Sequence, residues 1–168
     1  MMDRMLSWSF GLALAGLLLA MSFQKFFGLD PNPVFGLIAA RSGIGLFEPG
    51  LRYATAVLEL VAAGLVLWPA MRQRGAILGL CVALGAIAFH LSPWLGWQIP
   101  KPGPLSQALA QGLTAAQIDA LNLPTDKGAM FLLAVAIAAL AGVSIFIERS
   151  NLFARTHPAS KPERASFA

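Results

Sequence analysis

Apolar residues run through this chain in four long blocks, at about residues 5–23, 53–69, 75–91 and 129–147, separated by polar, basic or proline-rich stretches. Each block is long enough to cross a hydrocarbon layer as a helix, at about 1.5 Å rise per residue. The connection between the second and third blocks, AMRQRG, is tight and basic, and predicts an antiparallel hairpin. The connections at the other end are longer. After the first block, Asp-Pro-Asn-Pro reads as a turn in which Asp30 or Asn32 caps the adjoining segment. That segment, VFGLIAARSGIGLF, is too short to cross but apolar enough to lie in the interface or re-enter, where it needs protein cover over the bundle mouth. Between the third and fourth blocks, QIPKPGP breaks regular structure, and Thr114 and Gln117 have capping-box spacing for a short helix.

The pattern predicts an all-α membrane protein. It is a four-transmembrane-helix bundle with a short re-entrant or interfacial arm after the first helix and a long outer loop between the third and fourth. Residues 1–148 form one membrane domain, and 149–168 form a polar tail, low in apolar residues, that reads as disordered. The first block is longer than the apolar core of a secretory signal and lacks a good small-residue cleavage site, so it reads as a retained span. Composition supports the class: 57% of residues are hydrophobic and 12% charged, against roughly a quarter charged in soluble domains.

Lys and Arg set an orientation. With the N-terminus inside, the inner segments carry Arg4, Arg72, Arg74, Arg149, Arg155, Lys161 and Arg164, and the outer ones Lys25, Arg41, Arg52, Lys101 and Lys127. This predicts both termini on the cytoplasmic side. Trp8 and Trp68 mark the inner interface; Tyr53, Trp94 and Trp97 mark the outer one. The formal charge of +4 then reflects topology and not nucleic-acid binding.

One position departs from the apolar pattern. Glu59 lies about 12 Å along a helix counted from Leu51, where an ionised side chain costs about 2.5–3.5 kcal/mol on insertion scales. Arg52, Thr55 and Glu59 share a helix side, as do Gly79, Ala83, Ala86 and His90 in the third block. Small residues on a membrane helix mark contact with another helix, so His90 is expected to point inward. Gly11, Ala15, Ser22 and Lys25 in the first block, and Ala134, Ala138 and Gly142 in the fourth, give matching faces. Glu59 is therefore expected to join His90 and one or more of Lys25, Arg52 and Arg41 in a buried polar cluster of the outer half. Tyr53, Thr55, Glu48, Asp126 and Lys127 are secondary candidates. Each also has a structural reading: a carboxylate that only ties helices, a histidine bonded at a helix end, cations that snorkel to headgroups.

Familiar cofactor chemistry is poorly served by these residues. Cys81 is the single cysteine, so no intramolecular disulfide or Cys-x-x-Cys relay exists. His90 and His157 fall on opposite sides, which leaves no paired imidazoles for a metal or haem. No nucleotide-binding, nucleophile-elbow or zinc motif occurs.

The order FQKFFG, then FEPGLRYATAVLELVAAGLVLWP, then GAILGLCVALGAIAFHLSP resembles the DoxX-like membrane proteins, from about Lys25 to Pro93 and more loosely over all four spans. The resemblance implies a four-helix protein of the bacterial inner membrane. Some members are linked to quinone-coupled sulfur oxidation, others to membrane responses to oxidative stress. Two functional classes are open. The leading one is an accessory or scaffold subunit of a membrane complex, which binds a protein partner or a second copy. The other is a quinone- or lipid-binding subunit of a redox system whose redox centre lies on a partner. A transporter acting as an oligomer is a weaker third. Membrane lipids are partners in every case.

Overall fold

Apolar length and helical hydrogen bonding together produce the observed architecture. The computed structural model describes the backbone of residues 2–156 and the side chains of residues 5–150. In chain order the helices are α1 (Met2–Phe27), α2 (Pro33–Ser42), α3 (Gly50–Leu67), α4 (Arg72–His90), α5 (Pro102–Ala110), α6 (Ala115–Ala120) and α7 (Ala129–Thr156), with a 3-10 turn at Gly45–Phe47. Among the described residues, four helical segments are long and apolar enough to cross a membrane: Met5–Phe27, Gly45–Leu67, Arg72–His90 and Ala129–Ser150.

Helix ends follow capping chemistry and not the end of an apolar run. Helix α1 continues past residue 23 to Phe27. Gly28 then closes it, donating its N–H to the Gln24 carbonyl at 2.9 Å. Helix α3 begins at Gly50, after Pro49, and stops at Leu67, with Trp68 already extended. Helix α7 runs to Thr156. The segment expected as a tail from residue 149 is thus helical through 156, and residues 157–168 lie outside the described part.

The long helices form a four-sided bundle in which α1 and α4 each pack against both α3 and α7. On the shorter diagonal, Leu18 of α1 lies against Gly79 of α4. At one end of the bundle, here the hairpin end, the α3–α4 turn joins the start of α1 and the far part of α7. At the other, the cap end, α2, the 3-10 turn, α5 and α6 cover the bundle.

Two separate apolar cores result. Leu14, Leu18, Ala63, Val66, Ala76 and Ile137 belong to the bundle core, weighted toward the hairpin end. Leu37, Ile38, Phe47, Ile99, Leu105 and Ile118 form the cap core. Local chemistry assembles the cap. Asn32 accepts from the N–H groups of Val34 and Phe35 to start α2. Gly43 ends that helix at φ 72°, a left-handed conformation that suits glycine. Thr114 and Gln117 form the expected capping box at the start of α6. Helix α5 has no counterpart in the sequence expectations, which read QIPKPGP only as a break. Pro102 stands in its first turn, where its missing N–H costs nothing.

Candidate functional site

Between the two cores lies a cavity of about 540 Å³. Its floor and walls are apolar, with Leu18, Met21, Val82, Ala83 and Ile137 among the lining side chains, and α2 contributes Val34, Phe35 and Ile38. Lys25, Glu59, His90 and Thr55 also line it. An apolar pocket with a few convergent polar groups is the usual form of a small-molecule site.

The polar wall is an ion pair between neighbouring helices. Lys25 Nζ lies 2.7 Å from Glu59 Oε1 and 2.8 Å from Oε2. Their side chains are 15% and 6% exposed. Next to the pair, Ser22 Oγ donates to the Ala56 carbonyl at 2.9 Å and fixes α1 against α3. Glu59 is therefore an ion-paired carboxylate that faces a cavity. A buried pair of this kind is weak grounds for stability, because desolvation offsets most of the Coulomb gain.

The expected single cluster is resolved into separate groups. Arg52 does not reach Glu59. Its Nη1 lies 2.9 Å from Asp30 Oδ1 and 2.7 Å from Glu48 Oε1, and its Nη2 donates to the Tyr53 oxygen at 2.6 Å. Its guanidinium also covers the Tyr53 ring, 4.5 Å from the centroid. Arg52 and Glu59 do share a helix side, but two full turns separate them, and the loop acids meet Arg52 first. Arg41 also stands apart: it binds Asp119 at 2.7 Å and the Leu95 carbonyl at 3.2 Å, which ties α2 to α6 and to the loop after α4 within the cap.

His90 is buried and lines the cavity as expected. Its Nδ1 donates to the Gly96 carbonyl at 2.9 Å, since a carbonyl can only accept. Nε2 is then the acceptor of the neutral ring. Phe131 of α7 meets the imidazole edge-on, with centroids 5.7 Å apart. Among the secondary candidates, Thr55 bonds back to the Leu51 and Arg52 carbonyls while lining the cavity. Asp126 accepts from the N–H groups of Ile99, Gly128 and Met130, so it starts α7 and holds the cap loop. Lys127 is exposed, at φ 56°.

Sequence reasoning missed a buried cation at the hairpin end. Arg72, assigned to the inner loop charge, is 3% exposed. Its Nε donates to the Val66 carbonyl at 3.0 Å, its Nη1 bonds Ser7 and lies 3.5 Å from Glu148, and its guanidinium sits over the Trp8 ring. The available signal was Ser7-Trp8 at matching depth in the first block. Among the described residues, no group of His, Cys, Asp and Glu is arranged to hold a metal ion. The chain matches no family model, no curated protein and no solved structure.

Proposed function

We propose that this chain is a DoxX-like protein of the bacterial inner membrane, with both termini cytoplasmic, that holds a small amphiphile in the cavity beneath α2. A quinone or a lipid of similar size is the ligand class. The single observation that carries this reading is the cavity itself: about 540 Å³ of largely apolar space with the Lys25–Glu59 pair in its wall. A close-packed bundle has no structural use for such a void, since interiors normally fill to crystal-like density. Helix α2 then serves as the interfacial arm that separates the ligand from water. Lys25 supplies hydrogen-bond donors to a headgroup oxygen, and His90 Nε2 accepts from a hydroxyl. Any redox chemistry belongs to a partner that carries the redox centre.

A second reading, an accessory or scaffold subunit, is favoured by one specific observation. Lys25, Glu59, Arg52, Arg41 and His90 each already have a partner within the chain. Such pairing suits a network that fixes the bundle for a protein partner.

One experiment separates the two. Wild type and Glu59→Gln are purified in lipid nanodiscs, and retained quinones and lipids are identified by mass spectrometry. A species held by wild type and lost from an equally stable variant is the expected result. Equal retention by both, or no bound species in either, would overturn the ligand reading and leave the scaffold.

A further inference from the structure

We propose that the cavity fills sideways from the hydrocarbon layer, through a cleft between α3 and α4. Its ligand is then a neutral lipophile dissolved in the membrane and not a solute drawn from water. This rests on the cavity being a ligand site.

Helices α3 and α4 are pinned together near the hairpin, and nearer the cap both carry exposed residues that line the cavity. Near the hairpin, Gly75 leaves no room for a side chain: a Cβ there would stand 2.5 Å from the Val66 nitrogen and 2.8 Å from the Ala62 oxygen. Ala62 and Val66 are accordingly 0% exposed. The same face of α3 continues toward the cap through Leu58 and Thr55, at helical spacing. There Leu58 is 42% exposed although it lines the cavity. Across from it on α4, Cys81 and Gly85 line the cavity and are exposed too, and a Cβ on Gly85 would meet nothing within 4 Å. One helix pair thus passes from backbone contact to an open seam along its length.

Depth and chemistry identify the phase this seam faces. Leu58 and Cys81 lie about 12–14 Å below the cap ends of their helices, well within a hydrocarbon core of about 30 Å. The side chains at the mouth, Leu58, Leu78, Cys81 and Val82, carry no charge. The cap core and α2 cover the cavity from the loop side. Because Lys25 and Glu59 neutralise each other, an ionic ligand would find no spare counter-charge on them. A second group of exposed lining residues, Gln24, Gly28 and Leu29, stands at the cap end of α1 and supplies the competing route.

The test uses full-length protein, delipidated and reconstituted into phosphatidylcholine liposomes, with a decyl-chain benzoquinone as probe. Samples are withdrawn at intervals, repurified, and assayed for bound probe by mass spectrometry. Gly85→Phe places a bulky side chain at the cleft, where a Cβ meets nothing within 4 Å, and Gly85→Leu a smaller one. Gly64→Phe is the control, at another exposed glycine with open space, and Gln24→Trp obstructs the other mouth. Thermal unfolding in the same liposomes verifies each fold, and Gly85→Leu carries the comparison if the bulkier variant does not fold. We expect uptake at least about tenfold slower in Gly85→Phe, equivalent to about 1.4 kcal/mol on the access barrier. Gly85→Leu should be intermediate, and Gly64→Phe and Gln24→Trp unchanged. Wild-type rates in both folded Gly85 variants, or slowing by Gln24→Trp alone, would overturn the lateral route while leaving the cavity as a ligand site. Absence of probe from wild type at every time would overturn the ligand reading, and the route with it.

Discussion

At the hairpin end, Arg72 of α4 is held by the Val66 carbonyl of α3, Ser7 and the Trp8 ring of α1 and Glu148 of α7, so it joins four helices. At the cap end, Lys25 and Glu59 among the described residues hold each other and face about 540 Å³ of mostly apolar space. Both sites bury charge at the edge of an apolar bundle, and both are ion-paired. What separates them is what else each cation touches. Around Arg72 the protein's own carbonyl, hydroxyl and aromatic ring engage Nε, Nη1 and the guanidinium face, and only Nη2 is left without a partner among the described residues. The Lys25–Glu59 pair instead has open, mostly apolar space on one side. Intramembrane charge marks a candidate site by default, and the packing around these two charges is what distinguishes them.

The comparison can be broken by substitution, beginning with the largest effect. Arg72→Ala should destabilise the fold by about 3–5 kcal/mol, the usual result of removing one partner from a buried pair. Unfolding in mixed micelles would measure it, and a loss near zero would place Arg72 among the dispensable charges. Next, Gly75→Ala should cost about 1–3 kcal/mol through overpacking against backbone, whereas Gly85→Ala, with open space around it, should stay within about 0.5 kcal/mol. Equal costs would mean that α3 and α4 do not diverge. The smallest stability change is expected from the double variant Lys25→Met/Glu59→Met. Replacing a whole buried pair with apolar side chains is often neutral or stabilising, so its unfolding midpoint should match wild type while ligand retention is lost. A large drop in midpoint would move this pair into the architectural class with Arg72.

Much of the fold was legible because its cause is local. Block length, the tight connection between the second and third blocks, the Asn32 cap and the Thr114–Gln117 capping box each depend on residues close together in the chain, and each is present in the structure, although Arg72–Gly75 of AMRQRG already belong to α4. The candidate site was legible in part. Glu59 stood out by its insertion cost, and Lys25 was among its named partners. The grouping was not legible, because a helix side restricts direction but not which loop folds back over it. Asp30 and Glu48 reach Arg52 from segments whose paths the apolar pattern does not define. Arg72 was hidden for a related reason: at the end of an apolar block, a cation that faces headgroups and one that turns inward have the same sequence signature.

The sequence by itself determined the class of protein, the four long helices and the one carboxylate that needs a partner. These depend on transfer free energies and hydrogen-bond periodicity, which act residue by residue along the chain. Only the tertiary structure decided that the bundle and the cap have separate cores, that a cavity remains between them, and which cation faces it. Voids and their openings arise from how helices diverge and which side chains fail to meet, and no single segment carries that information.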